Sequence, residues 1–146
     1  MTTIRPAVIE DGEMIAALLQ QLGYARSAGD IAPIIAATQG DGIVLVAVDE
    51  GGLVVGCLQA LVDTRLAEGQ RGEITSLVVA AEVRSQGIGA ELVAAVTQWL
   101  QSRGIGRLRV RCNAVRERAH QFYEKHGFEL TKTQKVFDIH FAAAKR

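Results

Sequence analysis

The sequence has no excess of charge of either sign, because its 16 basic and 16 acidic residues give a formal net charge of zero. A broad nucleic-acid surface needs many cations to displace condensed counterions, so nucleic acid is not expected as a partner. No apolar run is long enough to cross a bilayer. The N-terminus also lacks the basic segment and long apolar run of a signal peptide. We therefore expect a soluble, cytoplasmic protein without a membrane partner.

Cysteine and histidine are also scarce. Cys57 and Cys112 each lie in an apolar run typical of a strand, which favours two small buried hydrophobic residues over a disulfide. The sequence has no Cys-x-x-Cys pair, and the spacing of its three histidines, His120, His126 and His140, is not that of metal ligands. No metal site is therefore expected.

Hydrophobic residues, by contrast, are plentiful. The chain has 146 residues, of which 49% are hydrophobic and 22% are charged. A chain of this size can bury a core, and this composition argues against disorder. The sequence shows no internal repeat, low-complexity tract or linker. We therefore expect one domain that spans residues 1–146.

The periodicity of the apolar residues predicts a mixed α/β fold. Asp11 is placed to cap the first helix, and Pro6 suits an edge strand. The polar stretch Asp63–Gly72 has no periodicity and is predicted to be a loop. The predicted helices follow Asp11, begin near Asp30, and span Ala90–Arg103 and Arg116–Lys125; the predicted strands are Thr3–Ile9, Gly42–Val48, Leu53–Val62, Ile74–Val79, Arg107–Cys112, Phe128–Leu130 and Lys135–Phe141. This order predicts a sheet with one central crossover helix.

The stretch Val83–Gly89 lies between the predicted strand Ile74–Val79 and the following helix. A helix start carries unpaired N–H groups and a partial positive charge. Glycines at positions 87 and 89 would let an anion reach those groups, and Arg84 adds a cation, which suits a pyrophosphate. A strand-to-helix turn that needs glycine only for its backbone remains an alternative.

Two nucleotide-binding patterns fail at this stretch. A P-loop requires Gly-Lys-Ser/Thr, and no such triplet follows Gly87. The dinucleotide-binding pattern of the Rossmann fold requires a third glycine three residues after the second, and that position is Leu92.

The stretch resembles the acyl-CoA loop of the GNAT superfamily of N-acetyltransferases. Arg84, Gly87 and Gly89 fill the pattern Arg/Gln-x-x-Gly-x-Gly/Ala of that loop, and Asn113 and the segment Ala119–Phe128 are similar to the family downstream. The resemblance implies a mixed, largely antiparallel sheet of about six to seven strands with helices on both faces. It also implies acetyl-CoA as co-substrate, without a metal.

The resemblance further implies how acetyl-CoA is held. The strand Arg107–Cys112 would splay away to leave room for the pantetheine arm, and the N–H of Leu77 or Val78 would polarise the thioester carbonyl. Asn113 would bond the pantetheine or order the next loop, although a simple turn residue is an open alternative. The implied contact residues are Leu77, Val78, Val79, Arg84, Ser85, Gln86, Gly87, Ile88, Gly89, Ala90, Asn113, Ala119 and Tyr123.

Two residues are candidates for proton transfer. Tyr123 falls where the family places a tyrosine beside the thioester sulfur, and a phenol can act as the general acid. Glu73 lies where the protein-lysine acetyltransferases of the family have a glutamate that collects the proton of the amine, although water serves this step in many members. A carboxylate in a partly dry cleft suits the role. His120 could also shuttle protons, but an ordinary surface or pocket-rim histidine is favoured.

Other polar residues have two open interpretations. Tyr24 and Arg26, in the loop between the first two helices, are candidate substrate contacts or parts of a solvated loop. Arg107, Arg109 and Arg111 alternate with apolar residues. They could form an anion-binding patch, but a solvated sheet face or ordinary surface ion pairs is favoured.

The resemblance implies an acetyl-CoA-dependent N-acetyltransferase that acts on a primary amine by direct attack. A small-molecule amine is favoured, since the compact chain shows no peptide-docking appendage. The alternatives are a protein-lysine or N-terminal acetyltransferase and a non-catalytic acyl-CoA-binding module, whereas the neutral net charge disfavours a toxin that acts on charged tRNA. Family members often dimerise through their last strands, so a homodimer is a further expectation.

Overall fold

The computed structural model describes residues 2–111 and 117–144. It contains two compact units, 1–111 and 112–146. The first unit holds a β-sheet with three helices, and the second holds one helix. Within the described ranges, no helix combines the length and apolar character needed to cross a membrane. The expectation of one domain over the whole chain stays a prediction.

The elements are numbered in chain order. Short 3-10 turns at Ile9–Asp11 and Ala81–Val83 precede the first and third helices. The strands are β1 Thr3–Pro6, β2 Gly42–Val48, β3 Val54–Arg65, β4 Gly69–Val79 and β5 Leu108–Val110, and the helices are α1 Gly12–Gln21, α2 Ala28–Thr38, α3 Ile88–Ser102 and α4 Glu117–Lys125.

The five strands form one sheet in the order β1-β2-β3-β4-β5. Neighbours pair antiparallel except β4 and β5, which pair in parallel. The predicted fold class is therefore confirmed, and Pro6 lies on an edge strand as expected. The predicted number of strands, about six to seven, is too high for the part of the chain that the structure describes.

The two predicted strands at the end of the chain account for the difference. Residues 128–144 have no strand assignment, so the predictions for Phe128–Leu130 and Lys135–Phe141 are wrong. Alternating apolar residues favour extended backbone, but a strand needs a neighbour whose backbone it can pair with. These segments have no such neighbour among the described residues, and their side chains are exposed, with Leu130 at 82% and Phe137 at 87%.

The predicted loop Asp63–Gly72 is instead a hairpin. β3 continues to Arg65, and β4 already begins at Gly69. Asp63 lies opposite Arg71 across the two strands, and Arg71 Nη2 lies 3.3 Å from Asp63 Oδ2. Opposite charges on facing positions stabilise a strand pair without apolar alternation. The prediction failed because it relied on apolar periodicity.

Asp11 does not cap α1 through its side chain. Its two carboxylate oxygens accept hydrogen bonds from Arg5 at 2.8 and 2.9 Å, and one also accepts from the Val8 N–H at 2.8 Å. Because the guanidinium fork takes both oxygens, the carboxylate turns away from the helix start. The first strand accordingly ends at Pro6 instead of continuing to Ile9. The second helix begins at Ala28, where Ser27 and Asp30 form a capping box.

Helix α3 crosses one face of the sheet at two glycines. An ideal Cβ on Gly56 of β3 would lie 2.9 Å from Ile88 Cγ2, and one on Gly72 of β4 would lie 2.5 Å from Leu100 Cδ1. The missing side chains therefore let α3 approach the backbone of both central strands. Ile88 and Leu100 are buried in this contact.

Helix α2 covers the other face. An ideal Cβ on Gly42 of β2 would lie 2.8 Å from Thr38 Cγ2 at the end of α2, and Gln59 Nε2 donates to Thr38 Oγ1 at 3.1 Å. Odd-numbered residues of β3 therefore face α2, and even-numbered residues face α3. Cys57 belongs to the first set and is buried as predicted, and burial raises the pKa of its thiol to about 12. Cys112 lies outside the described residues.

Candidate active site

The glycine loop joins β4 to α3 through an exposed turn. Ser85 and Gly87 both adopt left-handed backbone, with φ of 72° and 83°, so the chain reverses direction before the helix. Helix α3 begins at Ile88, two residues earlier than predicted, because buried Ile88 already packs against Gly56. Gly89 therefore lies inside the first turn of the helix.

The start of α3 presents unsatisfied backbone donors. Gly87 is the N-cap residue and provides no side-chain hydrogen bond, and the first helical bond runs from Glu91 N to Gly87 O at 3.0 Å. The N–H groups of Ile88, Gly89 and Ala90 consequently have no acceptor within the helix. These donors and the helix dipole favour an anion at this point.

The space in front of these donors is open. An ideal Cβ on Gly87 would meet no atom within 4 Å among the described residues. Glycine is therefore required here for its positive φ, and the turn leaves an anion room to approach. Arg84, Ser85 and Gln86 are exposed beside the helix start. Position, donors and charge are compatible with a pyrophosphate, and its binding at this loop stays a prediction.

Strand β4 changes its alternation in the middle. The register against β3 shifts between Gln59, which faces Ser76, and Ala60, which faces Ile74, so Thr75 is an extra residue. The Thr75 hydroxyl donates to Gln59 Oε1 at 2.9 Å and fixes the bulge. Because of this extra residue, the alternation of the backbone N–H groups that face β5 is shifted by one residue after the bulge.

The N–H groups beyond the bulge alternate between the two sides of β4. Ala80 N donates to a carbonyl of β3 at 2.9 Å. Counting back by two, Val78 also turns its N–H to β3, whereas Leu77 and Val79 turn theirs to the β5 side. Among the residues described, β5 pairs with β4 only along Gly72–Ile74, so Leu77 and Val79 have no ladder partner there. Of the two predicted carbonyl donors, this alternation favours Leu77.

Glu73 lies just before the bulge. It faces Leu61 on β3 and Arg109 on β5, on the α2 side of the sheet. Its side chain is 18% exposed, and Oε1 lies 3.5 Å from Arg111 Nη2. In the described structure, Oε1 is buried and makes no hydrogen bond. The carboxylate is thus partly dry and loosely paired, which is compatible with a proton acceptor.

Arg109 on β5 and Arg111 just after it form ion pairs, as the favoured interpretation predicts, whereas Arg107 just before β5 bonds a backbone carbonyl. Arg107 Nη2 donates to the Glu68 carbonyl at 2.8 Å, Arg109 Nη1 lies 3.5 Å from Glu68 Oε2, and Arg111 pairs with Glu73. Arg71, which the sequence analysis missed, lies behind them at 1% exposure. Its hydrogen bond to Glu68 raises the pKa of Arg71 against the effect of burial. Facing charges on either side of the hairpin turn are the signal that could have revealed it.

Helix α1, which precedes the loop between α1 and α2, contacts the segment before the glycine loop. Gln21, at the end of α1, accepts a hydrogen bond from the Ala81 N–H at 3.4 Å. Tyr24 is 47% exposed, and the Arg26 carbonyl accepts a hydrogen bond from Gln20. Substrate contacts for Tyr24 and Arg26 stay predictions. Gln21 was not singled out, because a glutamine on a helix carries no distinctive signal.

The remaining predicted residues belong to the second unit. Asn113 lies outside the described residues. Tyr123 and Ala119 are half-buried on α4, and the Tyr123 ring makes edge contacts with Phe122 and Phe128 at centroid distances of 5.3 and 5.4 Å. Gly127 takes the predicted left-handed cap with φ of 90°. The roles of Asn113, Ala119 and Tyr123 stay predictions.

No metal centre is present in the described part of the molecule, where no three His, Cys, Asp or Glu side chains come together as ligands.

Comparison with known proteins gives one family match. The model of the family described as "Acetyltransferase (GNAT) family" matches residues 12–128. No curated protein matches the sequence.

Solved structures match almost the whole chain. Aminoglycoside antibiotic 6'-N-acetyltransferase AAC(6')-Ih from Acinetobacter baumannii is 18% identical, with a TM-score of 0.84 over 97% of this chain and 100% of that one. Glucosamine-6-phosphate N-acetyltransferase from Arabidopsis thaliana is 22% identical, with a TM-score of 0.80 over 94% and 99%. AAC(6')-Iy, in complex with the bisubstrate analog CoA-S-monomethyl-acetylneamine, is 18% identical, with a TM-score of 0.84 over 96% and 99%. At these identities the likeness shows a shared fold.

Proposed function

The chain belongs to the GNAT family of acetyltransferases, and we propose that it transfers an acetyl group from acetyl-CoA to a primary amine of a small molecule. One observation carries this proposal. The β5 side of β4 is unpaired at Leu77 and Val79 in the described structure, and the same strand leads into the uncapped start of α3. The unpaired edge of β4 can therefore bind an extended arm, and the start of α3, which follows in the chain, can bind an anion.

The chain's own groups would hold the donor along this path. The N–H groups of Ile88, Gly89 and Ala90 bind the pyrophosphate, and Arg84 adds a positive charge beside them. Leu77 and Val79 pair with the pantetheine amides through their backbone. The Leu77 N–H then points to where negative charge develops during acyl transfer. Acetyl-CoA would supply the acyl group, activated as a thioester.

Glu73 would take the proton that the amine must lose. Its partly buried carboxylate lies two residues before the bulge, on the strand that also carries Leu77. An amine at the same strand could deliver its proton directly or through one water. Arg111 Nη2 lies 3.5 Å from this carboxylate. Direct transfer to solvent water is the alternative for this step.

Tyr123 would return a proton to the departing thiolate. This role follows from the family motif around Ala119–Phe128, and the half-buried phenol provides a suitable group. Asn113 and Ala119 would complete the contacts of the pantetheine arm by the same motif.

A small-molecule acceptor is supported by the kinds of protein that share the fold. The structural neighbours described above include N-acetyltransferases named for aminoglycosides and for glucosamine 6-phosphate. The match covers 100% and 99% of the lengths of these two neighbours.

A thiol-release assay tests the proposal. Acetyl-CoA is supplied with amino sugars, polyamines, amino acids and lysine peptides, and thiol release is followed together with mass spectrometry of the acceptor. We expect turnover with at least one small amine. Turnover with peptides alone would indicate a protein acetyltransferase. Binding of CoA without transfer to any acceptor would indicate an acyl-CoA-binding module, and either result would contradict the proposal.

A further inference from the structure

The hairpin β3–β4 and strand β5 bring five arginines together. They are Arg65, Arg71, Arg107, Arg109 and Arg111, and we call them the arginine cluster. The carboxylates that pair with them among the described residues are Asp63, Glu68 and Glu73. The cluster therefore carries more positive than negative charge, although the chain as a whole is neutral.

One carboxylate is shared between several guanidinium groups. Glu68 Oε2 contacts Arg71, lies 3.5 Å from Arg109 Nη1 and lies 3.9 Å from Arg65 Nη1. A single carboxylate oxygen has about two lone-pair sites, so Oε2 cannot give three guanidinium groups short and well-aligned hydrogen bonds at once. The longer of these distances are ion pairs without hydrogen-bond geometry.

The cluster contains buried donors that make no hydrogen bond. Nε and Nη2 of Arg71 and Nη1 of Arg109 are buried and make no hydrogen bond in the described structure. Arg71 Nη2 lies 3.3 Å from Asp63 Oδ2 and Arg109 Nη1 lies 3.5 Å from Glu68 Oε2, which are ion pairs only. Arg71 is 1% exposed, so its Nε cannot rely on bulk water. Buried polar groups are nearly always satisfied in folded proteins. A ligand with anionic oxygens would supply the missing acceptor at Arg109, whose side chain is 22% exposed.

The cluster lies on the side of the site opposite the glycine loop. Arg71 and Glu73 are in the N-terminal half of β4, whereas the loop follows its C-terminal end. The register places both residues on the α2 face, with Arg109 beside Glu73. The unpaired edge at Leu77 lies between cluster and loop along the strand. An acceptor that reaches this edge from the N-terminal half of β4 would pass the arginines.

We propose that the acceptor carries a carboxylate or phosphate group and that Arg109 and Arg111 bind it while its amine lies at Glu73. This inference rests on the proposed function. Arg111 is 46% exposed and Arg109 is 22% exposed, so a ligand can reach both. Arg71 positions Glu68 and Asp63 behind them. An anion on Arg111 would also release Glu73 Oε1 from its 3.5 Å ion pair, which leaves that oxygen available for the amine proton.

A binding experiment tests the anion site without turnover. Inorganic phosphate is added to the full chain at constant ionic strength, and the melting temperature is followed in wild type, Arg109→Gln, Arg111→Gln and Arg103→Gln. Arg103, exposed at the end of α3, is the matched control for the loss of one positive charge. We expect phosphate to stabilise wild type and Arg103→Gln more than either cluster variant, because phosphate bound at the glycine loop stabilises all four proteins to the same extent. Equal stabilisation of all four proteins would overturn the proposal.

A kinetic experiment tests the acceptor itself. Each acceptor pair differs only in the anionic group: glucosamine 6-phosphate against glucosamine, and 4-aminobutyrate against 4-aminobutyramide. In wild type, we expect kcat/KM to be about 10-fold or more higher for the anionic member of one pair, as for a charge-assisted hydrogen bond. Arg111→Gln should remove this preference. The KM for acetyl-CoA should stay unchanged. The pair that shows the preference distinguishes phosphate from carboxylate.

The two experiments separate this inference from the proposed function. Equal turnover of charged and neutral acceptors would contradict the anion site and leave the acetyltransferase intact. Weaker stabilisation of Arg111→Gln by phosphate than of wild type would support the anion site. If the wild-type protein at the same time turns over no amine, the acetyltransferase is contradicted. If Arg109→Gln does not fold, the more exposed Arg111→Gln gives the same readouts.

Discussion

At the residue scale, Asp11 illustrates how a buried carboxylate stabilises the N-terminal region. The side chain of Asp11 is 4% exposed, and that of Arg5 is 39% exposed. The hydrogen bonds from Arg5 lower the pKa of Asp11 below its ordinary value of 3.8, against the effect of burial. Because the folded-state pKa lies below the unfolded one, the stabilisation is present above the ordinary value and is lost as the pH falls through the lowered pKa.

We therefore expect Asp11→Asn to reduce the free energy of unfolding at neutral pH by about 1–2 kcal/mol, since solvent screens the exposed side of the pair. The difference from wild type should shrink in acid, where both proteins lack the charge. Urea unfolding across the pH range measures it. Glu10→Gln, on an exposed neighbouring side chain, is the control. A difference that does not depend on pH would contradict a role for the ion pair.

Glu73 tests the proposed proton acceptor. Glu73→Gln preserves size and hydrogen bonding but cannot take a full proton. If Glu73 is the base, the acidic limb of the kcat/KM profile should disappear or move, and the affinity for acetyl-CoA should stay unchanged. Glu82→Gln, at an exposed position before the glycine loop, should leave the profile as it is. An unaltered profile in Glu73→Gln would assign the step to water.

Tyr123 tests the proposed proton donor. Tyr123→Phe removes one oxygen and keeps the ring contacts with Phe122 and Phe128, so the fold should change little. We expect kcat to fall by about 10²- to 10⁴-fold if proton transfer limits the rate. A thioester with a better leaving thiol should recover part of the loss. A variant as fast as wild type with acetyl-CoA would show that Tyr123 only packs.

At the scale of elements, the placement of α3 depends on a glycine in a neighbouring strand. A Cβ at Gly56 would lie 2.9 Å from Ile88 Cγ2 and 3.1 Å from Leu92 Cδ1. Both side chains belong to the first turns of α3, whose N–H groups are the proposed pyrophosphate donors. Any displacement there would therefore affect stability and ligand binding together.

Gly56→Ala should lower the free energy of unfolding by about 1–3 kcal/mol, as overpacking typically does, and weaken CoA binding. Urea unfolding and calorimetric titration with CoA measure the two effects. Gly106→Ala is the matched control, because its Cβ would meet no atom within 4 Å of the described structure. Unchanged CoA affinity in a destabilised Gly56→Ala protein would show that the strand does not position the helix start for binding.

At the scale of the whole molecule, donor binding should stabilise the folded state. A ligand at 100 times its dissociation constant adds about 2.7 kcal/mol of stability when only the folded protein binds it. We expect acetyl-CoA and CoA to raise the melting temperature in proportion to the logarithm of their concentration. Pantetheine without phosphates should have a much smaller effect. Equal shifts with all three ligands would exclude the glycine loop as the site of affinity.

The sequence by itself determined the features that depend on neighbouring residues. The hairpin of β2 and β3, the exposed turn with Gly87 and the apolar stripe of α3 were predictable, because apolar periodicity and the demand for positive φ act within a few residues. The family motif predicted the fold and acetyl-CoA as the acetyl donor, and it could be recognised because its residues stand close together in the chain.

Only the tertiary structure decided the features that depend on distant partners. Asp11, which the sequence predicted as a helix cap, forms an ion pair because Arg5 reaches it across a turn. The bulge at Thr75 arises where the register of β4 against β3 shifts after Gln59. It determines which N–H groups of β4 have no ladder partner among the described residues. Arg71 lies among Asp63, Glu68 and Glu73 because β3 and β4 pair as a hairpin with this register. Each of these outcomes depends on which groups meet in space, and pairing between distant segments leaves no periodic signal along the chain.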